Sequence, residues 1–247
     1  MPIRAIEIME KHTYDADKDG RIEKDALEIT LDKLLKGAGP GADPTEIAQF
    51  DIYDKFREFI PWVSIDGFTV GGDTGYLVAV YGFLVRVTTA ATADYDAYLH
   101  STAELRKLLD AGKRIVFEFP LMRMGAITSV NVWLRLASTY ADPPSETAHH
   151  FGWKIIGADL YASNADGTTQ TITDTGVNLA AGNQRTRLKL VFVPGTDCKF
   201  YVNDVLKVTH TTNLPTAVGY YLHLHIRTLD AAVNDVQIGR VLIEKEY

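Results

Sequence analysis

Lys189-Leu190-Val191-Phe192-Val193, Pro194-Gly195-Thr196-Asp197, Cys198-Lys199-Phe200-Tyr201-Val202, Asn203-Asp204: here the chain runs strand, turn, strand, turn. The apolar and β-branched residues fit a pleated sheet, and the Pro-Gly-Thr-Asp tetrad punctuates them. Asn203-Asp204 suits a two-residue hairpin, because both residues tolerate the positive φ that such turns require. Cys198 alternates with Phe200 and Val202, which places it inward as a small hydrophobe and not as a reactive thiol.

The same grammar extends in both directions. Toward the C-terminus follow strands at Val205–Thr211, Gly219–Leu229 and Val236–Glu244. Toward the N-terminus lie Asp159–Ser163, Phe151–Ile156, Val130–Leu136 and Arg114–Phe119, with Asn164-Ala165-Asp166-Gly167 as a further turn. In Val130–Leu136 the period of two puts Val130, Val132, Leu134 and Leu136 inward and Asn131, Trp133 and Arg135 outward. Arg114–Phe119 likewise turns Ile115, Phe117 and Phe119 to one side. Tyr76–Val87 is a long apolar run that reads as one central strand covered on both faces. Many short strands with close turn signals specify a sandwich or barrel and exclude βαβ units.

Two parts depart from this grammar. Ser101-Thr102-Ala103-Glu104 is a capping box followed by Leu105, Leu108 and Leu109 and stopped by Gly112, which predicts one inserted helix. Before Trp62, Ile22, Ala26, Leu27, Leu31, Leu34 and Leu35 recur at helical spacing until Gly37–Gly41. A second short helix opens at Asp43-Pro44, with Glu46 three residues after the cap. The expected organisation is therefore a helical N-terminal docking segment with an acidic loop at 1–60 and a β domain at 61–247.

The 189–195 and 199–204 stretches, with the later Asn213-Leu214-Pro215 and the closing Val236–Glu244 strand, resemble the late strands of the concanavalin A-like lectin/glucanase superfamily. That resemblance implies a mainly β fold: an antiparallel two-sheet jelly-roll sandwich with one concave face. It leaves activity open, since lectins, hydrolases, lyases and structural modules share the fold.

Composition sets outer limits. The chain of 247 residues is 46% hydrophobic and 23% charged, with a formal net charge of −7. The acidic balance argues against nucleic-acid binding, which needs a basic surface. No apolar run approaches the roughly 18–20 residues of a membrane span. Met1–Glu10 carries Arg4, Glu7 and Glu10 where a signal peptide would be apolar. Cys198 is the sole cysteine, so no intramolecular disulfide forms.

Two constellations carry chemistry. Asp15, Asp17 and Asp19, with Gly20, Arg21 and Glu23, follow the first half of an EF-hand-type loop, which points to Ca²⁺ held by Asp15, Asp17, Asp19, the Arg21 carbonyl and Glu23. The twelfth loop position is Ala26 in place of the bidentate Glu, so an acidic turn without metal stands as the alternative. Tyr221, His223, His225 and Arg227 share one face of a strand. Two imidazoles so spaced can share a transition metal, with His149-His150 as the nearest further ligands. Ligand-facing surface, solvated sheet and subunit interface are the other readings of that face. Trp133 and Arg135 add an indole for stacking on a sugar ring, whereas Trp153 alternates with Phe151 and Ile155 and belongs to the core.

Glycoside cleavage needs two carboxylates across the bond, and the Glu-x-Asp-x-Glu strand of the laminarinase branch is absent from the sequence. A nucleophile elbow, a P-loop and a dinucleotide fingerprint are absent as well. The expected function is therefore non-enzymatic. An N-terminal segment ahead of a jelly roll resembles the plan of bacteriophage fibre and other virion appendage proteins. It implies a homo-oligomer, a trimer by that analogy, made in the cytoplasm, assembled with other virion proteins and displaying a receptor- or glycan-binding surface. A stand-alone carbohydrate-binding module is the alternative, and a polysaccharide hydrolase or lyase the third.

Overall fold

The computed structural model describes residues 55–60, 68–81, 84–102, 113–123, 129–179, 185–216 and 219–246. The expected N-terminal helices, the acidic loop with Asp15, Asp17, Asp19, Arg21 and Glu23, and the inserted helix after Thr102 lie outside the described residues.

The described chain forms two antiparallel sheets. The first contains β1 (Lys55–Ile60), β3 (Leu77–Tyr81), β4 (Leu84–Thr88), β6 (Ile115–Arg123), β11 (Arg185–Val193), β12 (Asp197–Val202), β13 (Val205–His210), β15 (Asp235–Ile238) and β16 (Val241–Glu246). The second runs in the order β10 (Gln170–Asn178), β9 (Asp159–Ala165), β8 (His150–Ile156), β7 (Val130–Ala137), β14 (Tyr221–Thr228), β5 (Asp96–Ser101) and β2 (Phe68–Gly72). The inward sets read from the sequence are buried: Val130, Val132, Leu134 and Leu136 on β7, and Phe117 and Phe119 on β6. Trp153 packs edge-on against Phe200 with centroids 5.1 Å apart, and Phe151 stacks on Phe192 at 5.1 Å. These rings join strands of opposite sheets, so the apolar faces close on each other.

The Asn203-Asp204 hairpin adopts φ of 50° and 64°, as its residue types demand. The Tyr76–Val87 run is not one strand. It folds back as the β3–β4 hairpin, with Leu77 opposite Thr88 and Tyr81 opposite Leu84. β3 ends the sheet, which leaves Leu77 and Tyr81 exposed. The closing Val236–Glu244 stretch also divides, into β15 and β16, both against β6. The reason lies opposite the break. Pro120 of β6 has no N–H to give the ladder; Gly239 donates to its carbonyl at 2.9 Å, and a Cβ on Gly239 would stand 2.4 Å from the proline ring. Among the described residues, β1 already pairs with β16 ahead of the border expected near Trp62.

β5 and β10 have no counterpart among the strands expected from sequence. β10 is a threonine-rich edge strand. β5 is short, with only Ala97 and Leu99 as apolar inward residues. It nonetheless supplies one side of the candidate site.

Candidate functional site

On the outer face of the seven-stranded sheet, register places side chains in rows. Asp96, Arg227 and Asn131 form the first row, Tyr98, His225, Trp133 and Lys154 the second, and His100, His223 and Arg135 the third. The sequence-predicted set of Trp133, Arg135, Tyr221, His223, His225 and Arg227 thus does share one face. Its expected openness does not hold. Trp133, Arg135, His223 and His225 are buried, with Arg135 only 2% exposed, while Tyr221 and Arg227 are half-buried.

The cover is the β7–β8 connection, residues 138–149. Ser138 N donates to His149 O at 2.9 Å and closes its base. Glu146 anchors it to the sheet, accepting from Trp133 Nε1 (2.9 Å), Lys154 Nζ (2.6 Å) and Gln170 Nε2 (2.8 Å). Trp133 is accordingly no stacking platform: Lys154 Nζ lies 5.3 Å from its ring centroid and His225 meets it edge-on at 5.3 Å. From the same connection, Tyr140 stacks on His100 at 4.3 Å and lies 4.8 Å from Tyr98 and 5.2 Å from His223. Burial, then the neighbouring Tyr98 hydroxyl and the Asp142 charge, push its phenol upward.

Two sub-clusters of opposite charge result. In the acidic one, His225 Nε2 lies 2.6 Å from Asp96 Oδ1 and 3.9 Å from Asp142 Oδ1. The candidate ligand atoms of the three residues all lie within 4.8 Å of one another, so Asp96, Asp142 and His225 could hold a metal ion. One imidazole with two carboxylates suits Zn²⁺ or Mn²⁺ better than Ca²⁺, which prefers six to eight oxygens. His223 is not part of that set. His150 does not join either: its Nδ1 bonds Ala148 O at 2.8 Å and its Nε2 bonds Ser163 Oγ at 2.8 Å. Asp142 is pushed upward by burial, with the Asp96 and Asp73 charges adding to it and His225 opposing.

In the basic one, Arg135 Nη2 donates to Ser145 O at 2.9 Å, while Nε and Nη1 have no partner. Both ring nitrogens of His223 also lack one. Burial lowers the Arg135 guanidinium to about 10, against the opposing pull of Glu146. Burial, then the charges of Arg135, His100 and His225, lower His223 to about 3, so it is neutral at pH 7. Buried polar groups are ordinarily satisfied by protein or by water.

Sequence reasoning missed Asp96, Tyr98, His100, Tyr140 and Asp142. The Asp96-x-Tyr98-x-His100 alternation was the one signal that could have found three of them.

No family model matches the chain, and no curated protein matches it. Solved structures do. A β-glucanase of Bacillus licheniformis aligns at TM-score 0.55 and 12% identity, covering 76% of this chain and 97% of that one. The carbohydrate recognition domain of Emp46p, in a metal-free form, aligns at TM-score 0.54 and 10% identity over 72% of this chain and 88% of its own. A Shewanella oneidensis protein of unknown function aligns at TM-score 0.56 and 9% identity over 85% and 97%. The shared fold is an antiparallel two-sheet sandwich of jelly-roll type. At these identities the likeness extends to the fold alone.

Proposed function

We propose that this chain binds carbohydrate at the outer face of β5, β7 and β14, beneath the 138–149 connection. The carrying observation is the Tyr98–Tyr140–His100 ring cluster set against Arg135 Nε and Nη1 and the two His223 ring nitrogens, which have no protein partner. Aromatic rings receive the apolar face of a pyranose, and convergent unsatisfied donors receive its oxygens. Binding across a glycan array, followed by calorimetry with Tyr140→Ala, tests this. The variant is expected to keep its fold and weaken binding at least tenfold; unchanged affinity would remove the site.

Hydrolysis is the second reading, and one observation favours it. The sequence lacks a paired-carboxylate strand, yet the fold brings Asp96 and Asp142 to one imidazole, with one carboxyl pushed upward and the other hydrogen-bonded. Two carboxyl groups flanking the scissile bond are what glycoside cleavage uses. Release of reducing ends that disappears in Asp142→Asn would establish it over simple binding. Display on a particle, with homo-oligomerisation and docking to virion proteins, rests on the plan of the N-terminal segment, which lies outside the described residues. Light scattering on the full chain is its first test, since a monomer would end the oligomer reading.

A further inference from the structure

Arg135 is a cation enclosed by protein without an ion-pair partner among the described residues. Its side chain projects from the middle of β7 into the third row, flanked by His223 and, beyond it, His100. Nε and Nη1 carry three of its five N–H groups, and none of these is taken up. Glu146 is the acidic group acting on it, yet both Glu146 oxygens are already committed to Trp133, Lys154 and Gln170. Among the described residues no carboxylate stands within ion-pair distance of the guanidinium. The carboxylates Asp96 and Asp142 serve His225 at the other end of the site, and Asp94 serves Arg227.

Leaving one buried charge uncompensated is strongly unfavourable, more so than burying a pair. A neutral hydroxyl would satisfy the hydrogen bonds and leave the charge. An anionic oxygen group satisfies both. We infer that the saccharide bears a carboxylate or sulfate ester, and that this group docks on Arg135 beside Tyr140 and His223. The neighbours suit it: neither ring nitrogen of His223 has a protein partner, and the Tyr140 ring packs edge-on against that imidazole at 5.2 Å. Half-buried Tyr98 and His100 border this cluster on the β5 side. The inference rests on the carbohydrate reading and gives its ligand a charge.

The test is calorimetry on the full chain with four probes: a galacturonate tetrasaccharide, a sulfated galactan tetrasaccharide, cellotetraose and inorganic sulfate. One acidic oligosaccharide is expected to bind at least a hundredfold tighter than cellotetraose. Arg135→Met should abolish that preference while its urea midpoint stays level or rises, because an unpaired buried charge has been removed. If Arg135→Met fails to fold, Arg135→Lys keeps the charge without the planar fork and should lose about tenfold. Binding of cellotetraose as tight as the acidic probes, or unchanged affinity in both variants, would overturn the inference and leave carbohydrate binding standing. Inorganic sulfate binding that needs Arg135, with no oligosaccharide bound, would uphold the anion site and discard the saccharide. No binding of any probe would discard both.

Discussion

On its inner face the seven-stranded sheet presents Leu99, Leu134, Phe151, Trp153 and Leu224; on its outer face the same strands present Tyr98, Arg135, His150, Lys154 and His225. Both sets are largely shielded from water, yet they are shielded by different means. The inner set is covered by the opposite sheet and needs nothing further, since apolar surfaces gain by burial alone. The outer set is covered by a single connection, held down mainly through Glu146. Its atoms are only partly satisfied. Burial in one case is the source of stability, and in the other it is a cost carried by a site.

The sharpest break of this comparison is Trp153→Ala on the inner face. Loss of that ring should destabilise by about 3–5 kcal/mol, read as a lower urea midpoint. A change under 1 kcal/mol would mean the inner face is not packed as described.

Acid should act next, and through the partly shielded histidines. Burial, with the charges of Arg135, Lys154 and His223 adding, lowers His150 to about 3, while its bond to Ala148 opposes; burial lowers His210 to about 4. Both are neutral when folded and titrate near 6.5 when unfolded. The stabilisation is thus complete above about pH 6.5 and drains as pH falls toward the folded values. Each group contributes a slope of up to about 1.4 kcal/mol per pH unit. His150→Gln should flatten the decline between pH 6 and 4 in denaturant melts, and an unchanged slope would contradict its buried neutral state.

A divalent transition metal is expected to act at the acidic end. Zn²⁺ at a hundred times its Kd would raise stability by about 2.7 kcal/mol, with the gain lost in Asp142→Asn. A thermal shift equal in both proteins would show that Asp96, Asp142 and His225 do not hold the ion. The smallest effect belongs to Arg135→Met, for which near-zero or favourable change in stability is expected. A loss as large as that of Trp153→Ala would make the outer face a second core.

The sequence carried the sandwich because strand alternation is a local property. Val130, Val132, Leu134 and Leu136 fall inward and Trp133 and Arg135 outward whatever surrounds them. For the same reason the face shared by His223, His225 and Arg227 was legible. The partners on β5 were not, because a six-residue strand with polar residues at alternate positions carries little apolar signal. Nor did local pattern reveal that two apolar runs would divide. Gly239 and Pro120 break the β15–β16 strand only because they meet across the sheet.

What residue order determined by itself, then, is the set of side chains on each face and the hairpin at Asn203-Asp204. Tertiary structure decided how those side chains are used. Asp96, Asp142 and His225 are distant in the chain and meet only once β5, β14 and the 138–149 connection are assembled. The burial of Trp133, which alternation turns outward, was likewise settled by the segment that crosses above it. Alternation fixes which way a side chain points from its own strand, but whether water or protein lies there depends on long-range closure of the chain.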